Sequence, residues 1–82
     1  MVEVIFDNNF KRFFSNIKDN LLKTKIINQI KKIKLNPEVG KPMRNTRKGT
    51  RELYIKPFRL SYRFYKDTNI VEILDLYHKK KQ

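Results

Sequence analysis

The most constraining stretch of the chain is its second half, where side-chain character changes with a period of two. From Arg51 to Lys56, Leu53 and Ile55 take one parity, while Glu52, Tyr54 and Lys56 take the other. From Phe58 to Tyr65, Phe58, Leu60, Tyr62 and Phe64 alternate with Arg59, Ser61, Arg63 and Tyr65. That period belongs to a strand with one face on a core and one face turned away from it. Pro57 marks one turn, and Lys66-Asp67-Thr68-Asn69 marks the next. Ile70 to Tyr77 is apolar on both parities, as expected of a strand inside a sheet. Strands joined by such short turns pair antiparallel.

The first half has a different rhythm. Val2 to Phe6 reads as a short strand, and Asp7 then offers a helix N-cap. Phe10, Phe13, Phe14 and Ile17 fall on one helical stripe and form core. Asp19 caps a second helix, in which Leu22, Ile26, Ile30 and Ile33 repeat at helical spacing. Asn36-Pro37 ends it, because the residue before a proline avoids the helical region. The lysines of these helices are read as a solvated face in preference to a binding surface. Val39 to Thr50 reads as a loop punctuated by Gly40, Pro42 and Gly49, carrying Lys41, Arg44, Arg47 and Lys48. Such a segment is either an RNA-contacting arm or a solvated connection. The expected fold is α+β, in the order β-α-α-β-β-β, with an antiparallel sheet packed on a helical hairpin. One domain is expected to span residues 1–82.

Charge narrows the partners. Twenty Lys and Arg stand against eight Asp and Glu, a net charge of +12. That excess attracts nucleic-acid phosphates, an anionic membrane or an acidic protein. A bias toward Lys, Asn and Ile accounts for part of it. It does not account for the arginines, all of which except Arg12 lie between Arg44 and Arg63. Cysteine is absent and His78 is the lone histidine, so disulfides, thiolate metal sites and histidine clusters are excluded. No apolar run approaches the ~20 residues of a membrane span. Charged and polar residues interrupt the apolar positions from Glu3 onward, so no secretory leader is expected and the expected location is cytoplasmic.

The sheet face away from the helices should carry Tyr54, Lys56, Arg59, Ser61, Arg63, Tyr65, Tyr77 and Lys79. Cations bind phosphates and tyrosines stack on bases, so this face suits RNA. Arg, Lys and Tyr also suit any half-solvated strand face, and Glu52, Glu72 and Asp75 can neutralise part of the charge. Alternation alone leaves both readings open.

Four blocks then carry a resemblance. Lys41-Pro42-Met43-Arg44, Gly49-Thr50-Arg51-Glu52-Leu53, Phe58-Arg59-Leu60-Ser61-Tyr62 and Tyr77-His78-Lys79-Lys80 resemble, in order and spacing, the K-P-L-R, G-x-R-E-L, Y-R-x-x-Y and G-H-R-K blocks of RelE-type toxins. The resemblance implies the RelE/ParE fold and a toxin of a type II toxin–antitoxin pair. It implies metal-independent cleavage of mRNA on a 70S-type ribosome, with no cofactor, and neutralisation by an acidic antitoxin that wraps the toxin. Such cleavage uses the ribose 2′-OH as nucleophile. It needs a base, a cation for the crowded phosphorane and an acid for the leaving 5′-oxygen.

By position, the resemblance assigns Arg59 to the scissile phosphate, where a planar fork suits better than an ammonium. It makes Lys56 a base or charge stabiliser, and Lys79 a phosphate contact in place of the family's arginine. His78 stands where some relatives place a catalytic histidine, although alternation turns it toward the helices with Leu74 and Leu76. Tyr77 replaces the family's glycine. It is the candidate to stand in for the C-terminal tyrosine that some relatives use as an acid. Arg44, Arg47, Lys48, Arg51, Tyr54 and Arg63 are expected to contact RNA. The alternatives are a ParE-like inhibitor of DNA gyrase on the same fold, a non-catalytic RNA- or ribosome-binding module, and a surface whose charge serves the antitoxin.

Overall fold

The computed structural model describes residues 1–78, so Lys79 lies outside the described residues. The chain runs β1 (Glu3–Phe6), α1 (Asn8–Ser15), α2 (Asn20–Leu35), β2 (Lys41–Pro42), a 3-10 turn (Asn45–Arg47), β3 (Arg51–Ile55), β4 (Phe58–Tyr65) and β5 (Ile70–His78). Both expected caps form. The Asp7 carboxylate accepts from the Asn9 N–H, and that of Asp19 accepts from the Leu21 and Leu22 N–H groups. Each satisfies donors that the first helical turn leaves without partners. Asn36 terminates α2 as expected. Ile17 falls beyond the end of α1 but still packs against the core.

The sheet order is β1-β5-β4-β3-β2. β3, β4 and β5 pair antiparallel, as their short turns require. β1 departs from the expected all-antiparallel sheet, because it runs parallel to β5. No tight turn joins those two strands. The chain between them passes through both helices, and a crossover of that kind permits parallel pairing. The expected loop from Val39 to Thr50 also holds more structure than anticipated: β2 pairs with β3 through Lys41–Glu52 and Pro42–Arg51, and the 3-10 turn follows.

The core is Val2, Phe10, Ile26, Ile33, Ile55, Leu60, Tyr62, Val71, Ile73 and Leu76. Each large aliphatic side chain there contributes roughly 1.5–3 kcal/mol over remaining in water. Val71 and Ile73 are odd-numbered and Leu76 is even, yet all are buried. The register explains this. Tyr62 pairs with Ile73 and Ser61 pairs with Asp75, so Leu74 is an extra residue opposite no partner. This bulge switches the parity of β5. β5 lies inside the sheet, as its apolar residues on both parities predict, and its helix-facing side changes parity at the bulge.

Tyr62 ties the sheet to the end of α2. Its ring is fully buried, its hydroxyl donates to the Pro37 carbonyl at 2.7 Å, and it accepts from the Gly40 N–H at 2.8 Å. A Cβ at Gly40 would fall 2.7 Å from that hydroxyl, so only glycine fits there. Tyr62→Phe keeps the ring but strands a backbone donor and acceptor. Chemical denaturation should show a loss of about 1–3 kcal/mol, with the folded spectrum unchanged.

Candidate functional site

Residues directly opposite one another on paired strands share a face. Arg59 pairs with Tyr54 on β3 and with Tyr77 on β5, so these side chains form one row across the sheet. The neighbouring row is Glu52, Ser61 and Asp75, and beyond it Arg63 pairs with Glu72. Lys56 is exposed in the Lys56–Pro57 turn at the Arg59 end of the face. Tyr54 is exposed beside Arg59.

The face is not bare. Glu52 and Ser61 stand on the side away from the helices and are nevertheless buried. Part of the cover comes from the 3-10 turn, which brings Arg47 across the sheet. The Arg47 guanidinium carbon lies 4.4 Å from the centre of the Tyr77 ring, within cation–π range. Its Nη1 is 3.6 Å from Glu52 Oε2, and Arg59 Nη1 is 3.5 Å from Glu52 Oε1. The Tyr77 hydroxyl donates a hydrogen bond to Glu52 Oε2.

Glu52 is therefore the centre of the cluster. Its side chain is 2% exposed, and a carboxylate that dry persists only with compensating partners. A phenol and two guanidinium groups supply them. Glu52 Oε1 and Arg59 Nε are buried without a hydrogen-bond partner among the described residues. The Arg59 contact is thus an ion pair, and its Nε donor stays uncommitted. The same surroundings push the Tyr77 phenol up to about 12, first through burial, then through its hydrogen bond to Glu52 and the charge it faces. Arg47 and Arg59 oppose that rise. Tyr77 is a proton holder throughout the neutral range.

The other expected site residues disperse. Arg44 and Lys48 are exposed on either side of the 3-10 turn that carries Arg47. Arg51 sits one position from Glu52 on the strand and so takes the opposite face. Its Nη1 donates to the carbonyls of Gly40 at 2.8 Å and Glu38 at 3.0 Å. Arg63 lies farther along the face, its Nε buried without a hydrogen-bond partner among the described residues. His78 pairs with Phe58, and its ring meets the edge of the Phe58 ring with centres 5.6 Å apart. Phe58 in turn meets Phe13 of α1, so His78 lies on the helix side, as alternation anticipates. In the sequence Glu52 reads as a partial neutraliser of the face; its burial and its three contacts have no signal in local pattern. Among the described residues no group of three or more His, Cys, Asp or Glu side chains could hold a metal ion. No helix among them is long and apolar enough to cross a membrane.

A family model described as the ParE toxin of the type II toxin–antitoxin system parDE matches residues 4–82. The chain belongs to the RelE/ParE superfamily of type II toxins. Among solved structures, the RelBE2 toxin–antitoxin complex of Mycobacterium tuberculosis matches with 25% identity and a TM-score of 0.80, covering 95% of this chain and 98% of that one. The YoeB/ParE toxin of Agrobacterium tumefaciens gives 15% identity and a TM-score of 0.83 over 94% and 98% of the two chains. The heterotetrameric YoeB–YefM complex of Staphylococcus aureus gives 19% and 0.77 over 95% and 97%. At these identities the last two speak for the fold. No curated protein matches the chain.

The toxin's Tyr77 yields a test of the cluster. A phenol whose folded pKa stands above its ordinary value stabilises the folded state below the ordinary pKa. That contribution should be lost as the pH rises from about 10 through about 12. Unfolding measured across this window should show a decline that Tyr77→Phe removes in part.

Proposed function

We propose that this toxin is a metal-independent, ribosome-dependent mRNA endoribonuclease that blocks translation and is neutralised by a cognate antitoxin. The observation that carries the reading is the row of Tyr54, Arg59 and Tyr77 across one sheet face, with Arg47 folded onto it and Lys56 at its end. Arginine and lysine at that end can bind the scissile phosphate and stabilise the charge of the phosphorane. Tyr54, exposed beside Arg59, offers a ring on which a base can stack.

In this reading the ribose 2′-OH gives its proton to a base and attacks the adjacent phosphorus, and the P–O5′ bond breaks to leave a 2′,3′-cyclic phosphate and a 5′-hydroxyl that takes up a proton. The Arg59 side chain, 26% exposed, presents guanidinium N–H donors to a phosphate oxygen. Lys56 serves as charge stabiliser or as base. Lys79 adds a phosphate contact. Tyr77, with its proton turned toward Glu52, acts as a brace in this state, and His78 packs on the helix side. The net charge of +12 suits both RNA and an acidic antitoxin.

A second reading is favoured by one observation: the matching family model is that of ParE. On that reading the toxin inhibits DNA gyrase instead of cutting mRNA. The two separate in vitro. Cleavage mapped on programmed ribosomes, with and without the toxin, supports the first; inhibition of gyrase supercoiling with intact mRNA supports the second.

Arg59→Ala should lower mRNA cleavage by roughly 100- to 1,000-fold, the usual cost of deleting a donor to developing negative charge. Growth arrest in cells should fall with it. Undiminished toxicity of a folded Arg59→Ala protein would overturn the ribonuclease reading.

A further inference from the structure

We infer that Glu52 is a positioning residue, whose buried carboxylate gathers Arg47 and Arg59 into a single clamp for one RNA phosphate. The inference rests on the ribonuclease reading and deepens it.

Three segments meet at this carboxylate. Arg59 comes from β4, Tyr77 from β5 and Arg47 from the 3-10 turn before β3. Both guanidinium groups lie within 3.6 Å of Glu52 oxygens. Two cations brought that close repel each other, and more strongly where water is excluded. The negative charge between them offsets the repulsion and fixes where each points. Without it, the 42%-exposed Arg47 side chain would be free to swing into solvent.

Glu52 is poorly placed to touch substrate. Its side chain is 2% exposed, Tyr77 and Arg47 engage Oε2, and Arg59 faces Oε1. A carboxylate so enclosed acts through its partners. The Tyr77 hydroxyl holds it in orientation, as a supporting hydrogen bond commonly does for a charged group in a site. The outer edges of the two guanidiniums are left for the next anion, and planar forks favour a phosphodiester. The clamp also converts the 44–48 segment from a solvated connection into part of the site, because Arg47 is anchored from inside the protein.

The test is a double-mutant cycle with the full-length toxin on programmed ribosomes. Glu52→Gln keeps the shape and an acceptor for Tyr77 but removes the charge. Its cleavage rate at saturating ribosome complex should fall roughly 10- to 100-fold, the scale expected when a site group is misplaced. In an Arg59→Ala background the same change should cost clearly less, since part of its effect acts through that arginine and only the Arg47 part remains. Equal losses in both backgrounds would mean that Glu52 only supports the fold, and would overturn the inference. If the Gln variant does not fold, Glu52→Asp carries the same cycle, with charge kept and reach shortened. Nuclear magnetic resonance of the arginine Nε–H groups gives a readout independent of activity. Arg59 should show an ordered side chain in the wild type and a mobile one in Glu52→Gln; identical order in both would overturn the inference. Wild-type toxin that leaves mRNA uncut would sink the ribonuclease reading, while the resonance result would still decide what Glu52 does to Arg59.

Discussion

β4 is hydrogen-bonded to β3 along one edge and to β5 along the other, and this double pairing fixes where the side chains of all three strands point. A strand held on both edges cannot rotate about its axis. Leu60 and Tyr62 therefore stay in the core, while Arg59, Ser61 and Arg63 stay on the other side. The bulge at Leu74 keeps β5 consistent with that frame. It sets Val71 and Ile73 inward before it and Leu76 inward after it. Tyr77 thereby reaches the Arg59 face, and His78 turns to Phe58. Bulges beside functional sites commonly re-aim a side chain in this way.

The charge on the outer face is organised. A scatter of cations on a sheet attracts RNA without orienting it. Here one dry carboxylate draws Arg47 and Arg59 together, and Tyr77 braces it. Arg51, adjacent in sequence, goes the other way and ties β3 to the Glu38–Gly40 segment through backbone carbonyls. Two neighbouring members of one sequence block thus serve different faces: Arg51 holds the fold and Glu52 arranges the cations.

The helices contribute apolar cover. Ile26 and Ile33 of α2 are fully buried, Phe10 of α1 nearly so, and α1 packs on β5. Lys23 lies over the Phe14 ring with its nitrogen 5.6 Å from the centre, and most other lysines of α2 are exposed. Much of the positive charge is therefore spread over a solvated helix face, while the clustered arginines lie on or beside the sheet.

Much of this was legible in the chain alone. Asp7, Asp19 and Asn36-Pro37 announce the helix ends, and the alternation from Phe58 to Tyr65 announces β4 with both of its faces. These features depend on neighbours a few residues apart, so local pattern determines them. The row of Tyr54, Arg59 and Tyr77 followed from the same alternation. The parallel seat of β1, the bulge at Leu74 and the burial of Glu52 did not. Tyr77 and Glu52 are 25 residues apart, and nothing near either one in sequence indicates that they meet. The sequence by itself determined a period-two hairpin with a basic outer face. Only the tertiary structure decided that this face is built around a buried carboxylate, because burial and charge pairing depend on which distant segments come to lie across it.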